Sequence, residues 1–182
     1  MHPLPWSRTT AERVVRLLLL FSLAAFFALI LQTTLPRLLP LGILVPDLVL
    51  ILAVDLGLRH PRALTALMVF AMGYAVDALS GVELGLNALL MTMVFLFAYW
   101  LSRVLISTST AIGVIAVFAG VIFSDIGNYL VSSRFALADR LHALMPAVLI
   151  QAAVTALLTP SVFRMTAWAA QAVGLRVRNA SR

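Results

Sequence analysis

The chain has 182 residues, 63% of them hydrophobic and 11% charged, with a formal net charge of +6 and no cysteine. A soluble domain is about half apolar, so this excess, with a mean hydropathy of +1.07, argues for lipid as the solvent. The 13 basic residues are all arginine and lie between apolar runs, which argues against one nucleic-acid-binding patch, and the missing thiols exclude a disulfide framework, a thiolate metal site and a cysteine nucleophile.

The first apolar run, 14–35, follows Arg8, Arg13 and Arg16. A signal peptide has a similar basic start, but the run is long and no small-x-small cleavage site follows. It reads as a retained first span. The second run is broken. From Asp47 to Leu58 a helix covers only about 18 Å of a roughly 30 Å hydrocarbon core. A span over 41–58 therefore needs an irregular or kinked entry at Pro46, shielded from lipid. The third span is read at 63–79. The fourth is 86–105, with Tyr99 and Trp100 placed as an interfacial aromatic pair. The fifth is 111–131. A polar stretch, Ser132 to His142, suggests a short surface helix before a sixth span at 144–168, with Pro160 as a candidate kink. Residues 169–182 form a basic tail. The whole chain, 1–182, reads as a single transmembrane domain.

Six crossings with an internal N-terminus place ten arginines (Arg8, Arg13, Arg16, Arg59, Arg62, Arg103, Arg164, Arg176, Arg178, Arg182) inside and three (Arg37, Arg134, Arg140) outside. The positive-inside rule favours that orientation, with both termini cytoplasmic.

An aspartate at the centre of a membrane helix costs about 2.5–3.5 kcal/mol on insertion scales, so each acid needs a reason. Glu12 and Asp139 have neighbouring arginines and read as solvated partners. Asp47, Asp77, Glu83 and Asp125 all fall on the outer side and, with Asn128, form a candidate outer-face polar cluster. Asp47 also suits a helix N-terminus, where negative charge meets the dipole. Asp55 and Arg59 are four apart and read as a structural pair. Thr65, Val69, Gly73 and Asp77 step by fours along one face, as do Ala116, Gly120, Ser124 and Asn128. Gln151, Thr155 and Thr159 form a weaker polar seam. His2, His60 and His142 show no metal-ligand spacing, and no phosphate loop, dinucleotide fingerprint or nucleophile elbow is present. The sequence therefore predicts no enzyme, no cofactor, no metal and no catalytic residue.

The motif Gly73-x-x-x-Asp77-x-x-Ser80, followed by Gly85-x-x-Ala88-Leu89, resembles the signature of the rod shape-determining protein MreD family. The stretch Pro46 to Leu105 carries the resemblance. It implies a non-enzymatic inner-membrane component of the elongation complex, which helps position and regulate side-wall peptidoglycan synthesis. The partners it implies are MreC, the MreB filament, and RodA with its penicillin-binding protein, together with membrane lipid and without nucleic acid. The fold it implies is an all-α compact bundle of six transmembrane helices, similar to the substrate-binding subunits of energy-coupling-factor transporters. That similarity supplies the alternative, a vitamin-binding transporter subunit, for which Ala24-x-x-x-Ala28 would be the docking feature. A stand-alone ion or lipid carrier is a third reading.

Overall fold

A computed structural model describes residues 5–38, 45–80, 84–105, 109–132 and 138–172. Among them are six helices: α1 (Pro5–Leu38), α2 (Leu48–Arg59), α3 (Ala63–Ser80), α4 (Leu86–Val104), α5 (Thr110–Ser132) and α6 (Ala138–Ala172). No strand occurs among the described residues. Five of the helices are long and apolar enough to cross a membrane, over Val14–Thr34, Ala63–Ser80, Leu86–Val104, Thr110–Val131 and Met145–Ala172. The sixth, α2, is not.

The short helix is the centre of the molecule. Residues 49–58 of α2 are all buried, the pattern of a helix that is apolar on every side. It contacts each of the other five helices. On one side Val49, Leu52, Ala53 and Leu56 pack with Leu17 and Phe21 of α1, Val69 and Met72 of α3, and Met91 and Phe95 of α4. On the other, Leu50, Ile51, Val54 and Leu58 meet Val94 and Ala98 of α4, Val117 and Val121 of α5, and Ala152 and Phe163 of α6. Because residues 49–58 of α2 are enclosed by protein, the short helix does not itself have to span the bilayer. Large apolar side chains such as Phe26, Leu67, Leu96, Ile115, Leu157 and Met165 lie exposed on the outer helices. That inverted pattern fits a bilayer environment and is an aggregation liability in water.

The helix limits differ from the sequence reading mainly at α1, α2 and α6. Residues 45–47 precede α2 without helical structure, and residues 41–44 of the expected entry lie outside the described residues. The sixth helix starts at Ala138, so residues 138–142 open that helix and do not form a separate surface helix. It also absorbs residues 169–172 of the expected tail and runs through Pro146 and Pro160.

The α3–α4 pair is closely packed because Gly73 has no side chain. A Cβ there would sit 2.5 Å from Ala88 Cα and 2.8 Å from both Ala88 N and Asn87 O, all backbone atoms. Gly73→Ala must therefore push the two helices apart. The expected cost is about 1–3 kcal/mol, the usual penalty of overpacking, read as a lower thermal unfolding temperature in detergent.

Candidate functional site

Asp77 is fully buried near the end of α3, yet it is not isolated. Its carboxylate accepts from Gly85 N at 3.0 Å, Asn87 N at 3.0 Å and Ala88 N at 3.1 Å. The first-turn N–H groups of a helix have no partners within that helix. A side chain at the N-cap normally supplies them, but the N-cap of α4 is Gly85, which has no side chain to offer. Asp77 reaches across from the preceding helix and caps the second and third residues of α4. The negative charge also faces the positive end of the α4 dipole. Gly85 has φ of 96°, the left-handed region that glycine enters without a Cβ penalty. Gly73 sets the close approach, Gly85 makes the reversal, and Asp77 closes the hairpin. Ser80 ends α3 as an exposed residue, and Glu83 lies outside the described residues.

The network continues into α5. Asn128 Nδ2 donates to Asn87 Oδ1 at 2.8 Å, so Asn87 links Asp77 to Asn128 and α3 to α5. Asp47 lies in a second group. It caps α2, accepting from Leu50 N at 3.0 Å. It also accepts from Gln32 Nε2 of α1 at 3.0 Å. Its own N–H donates to Thr155 Oγ1 of α6 at 3.2 Å. Asp125 Oδ2 and Asn128 Oδ1 are buried acceptors with no hydrogen-bond donor among the described residues. The candidate outer cluster thus divides: Asp77 joins Asn128 through Asn87, whereas Asp47 bonds Gln32, Leu50 and Thr155. Among the described residues no three acids or histidines converge as a metal site.

The opposite end is held differently. Asp55 pairs with Arg59 Nε at 2.8 Å within α2 and accepts from Thr166 Oγ1 of α6 at 2.8 Å. The Arg59 guanidinium lies 4.8 Å from the centroid of the Phe163 ring and donates to Phe163 O at 3.3 Å. Thr65 closes the α2–α3 loop by donating to His60 O and Arg62 O, each at 2.7 Å. The His60 ring meets Phe21 edge-on, with centroids 6.2 Å apart.

Burial, with the nearby charges of Arg62 and Arg59, pushes His60 down to about 4. Its ordinary value is about 6.5. Between those values the unfolded chain binds a proton that the folded chain does not, so stability falls as pH drops. The unfolding temperature is expected to hold above pH 6.5 and decline toward pH 4. His60→Gln should remove that share of the acid sensitivity.

The residues that sequence reading missed are Gln32, Asn87 and Thr166. Each is a polar side chain in or beside an apolar run, and Asn87 follows the motif glycine by two positions. That spacing was the available signal for a capping partner.

No curated protein and no solved structure matches the chain. The model of the rod shape-determining protein MreD family does, over residues 11–167, a stretch that contains both the Asp77 hairpin and the buried α2. The chain belongs to the rod shape-determining protein MreD family.

Proposed function

We propose that this chain acts as a non-enzymatic scaffold in the inner membrane, where it positions and regulates side-wall peptidoglycan synthesis within the elongation complex. Family membership carries this reading, because it ties the chain to rod-shape determination. The geometry adds a physical role. Asp77, Asn87 and Asn128 hold the ends of α3, α4 and α5 together at one face of the bundle. A fixed rim of that kind suits a docking surface for a membrane-anchored partner such as MreC. RodA with its penicillin-binding protein is the synthetic unit to be positioned.

The arginine distribution supports placing both termini and the α2–α3 loop on the cytoplasmic side, toward the MreB filament. The vitamin-transporter alternative gains no support from the comparisons.

Conditional depletion tests the proposal. Cell width and the sites of fluorescent D-amino-acid incorporation are followed by microscopy. Depleted cells are expected to round and swell, lose side-wall incorporation, and recover both when the wild-type chain is restored. Normal rods after verified loss of the protein contradict the reading.

A further inference from the structure

In the Ala24-x-x-x-Ala28 pair, Ala28 is buried in the core cluster and Ala24 packs at its edge. The pair lies in an elongated groove of about 690 Å³ between α1 and α6, with Leu48 and Leu52 of α2 as its floor. That volume falls within the roughly 300–1,000 Å³ of small-ligand sites. The small side chains of Ala24 and Ala28 leave the concavity open where α1 stands away from α6. The lining is apolar apart from Thr166, whose hydroxyl is bonded to Asp55, and Arg16 toward the start of α1. Arg16 is exposed there, and Trp168, which also lines the groove, is 73% exposed.

From Arg16 to Leu31 the α1 wall runs about 22 Å, and the α6 wall from Val162 to Ala172 about 15 Å. Half of a roughly 30 Å hydrocarbon core is about 15 Å. The groove therefore has the length of an acyl chain, an interior that is apolar apart from the Thr166 hydroxyl, and Arg16 at the depth of the headgroups. An arginine at that position complements a phosphate by charge and by paired donors. Tryptophan favours the same interfacial depth.

We propose that the α1–α6 groove holds an anionic phospholipid of the leaflet at which α1 begins and α6 ends, its acyl chain over Ala24 and Ala28 and its phosphate on Arg16. The site gives the bundle a lipid as its missing wall. It also makes the position of α1 depend on the charge of the surrounding membrane.

Trp168 provides the readout. The full chain carrying Trp6→Phe and Trp100→Phe retains Trp168 as its one tryptophan. It is reconstituted in phosphatidylcholine vesicles that contain increasing brominated phosphatidylglycerol or brominated phosphatidylcholine, and quenching of Trp168 is recorded. The expected result is half-quenching at a roughly fivefold lower fraction of the anionic lipid, the factor that one arginine near an anionic surface supplies. Arg16→Gln should erase the preference. Arg103→Gln, at the end of α4 and hydrogen-bonded to Tyr99, should keep it and report that the bundle remains folded. Equal quenching by both lipids in the parent chain overturns the proposal. So does a preference that survives Arg16→Gln. Protection from both lipids, with a dimer in sedimentation, also overturns it and assigns the groove to a second copy.

Discussion

Asp77→Ala is expected to lower the stability of the bundle by about 3 kcal/mol or more. The substitution leaves the N–H groups of Gly85, Asn87 and Ala88 without their acceptor. A buried donor left unsatisfied costs about 1–3 kcal/mol, although three donors at one helix end do not add independently. The loss should be local before it is global. The first turn of α4 should fray, so backbone amide exchange at Asn87 and Ala88 should accelerate ahead of exchange in α2. Asp77→Asn keeps an acceptor oxygen but loses the charge facing the α4 dipole, and it should fall between alanine and wild type. Thermal unfolding in one detergent, with exchange measured on the same samples, checks both statements. If Asp77→Ala unfolds at the wild-type temperature, the carboxylate is not what holds the hairpin.

Arg59→Met should have a comparable effect at the other end. Asp55 is 1% exposed and Arg59 20%, so removing the cation leaves a buried carboxylate with Thr166 as its remaining hydrogen-bond partner. Breaking a buried pair from one side costs about 3–5 kcal/mol, whereas replacing both members with apolar residues is often neutral. The double variant Asp55→Leu with Arg59→Met should therefore recover most of the loss in unfolding temperature. A double variant as unstable as Arg59→Met would show that the loss comes from the bonds to α6, Asp55 to Thr166 and Arg59 to Phe163, and not from an unpaired buried charge. The contrast between single and double variants separates the two explanations.

Much of the helical layout was legible because each apolar run is bounded by proline, glycine or arginine. The short second helix could be read from Pro46 and Asp47 at its start and Arg59 at its end. Its central position could not, because burial on every side is set by five other helices. The fours-spaced face of Thr65, Val69, Gly73 and Asp77 shows as a row of buried residues. Its partner was invisible. Asn87 is an ordinary helix residue until α4 folds back, and only then does its N–H reach Asp77 and its side chain reach Asn128. Thr166 is 111 residues from Asp55, the carboxylate it bonds, and no local pattern marks that pairing. Asp47 shows two roles that sequence alone left side by side. It caps its own helix and also ties α1 and α6 to the start of α2. Local chemistry announces the cap. Only tertiary contact reveals the tie.

If the Asp77-closed hairpin is the rigid element through which this chain supports rod shape, cell width reads it most directly, measured in depleted cells that carry Asp77→Ala or wild type at matched membrane levels. Wild type is expected to restore rods and Asp77→Ala to leave the cells rounded. Full restoration of width by Asp77→Ala would contradict that role of the hairpin.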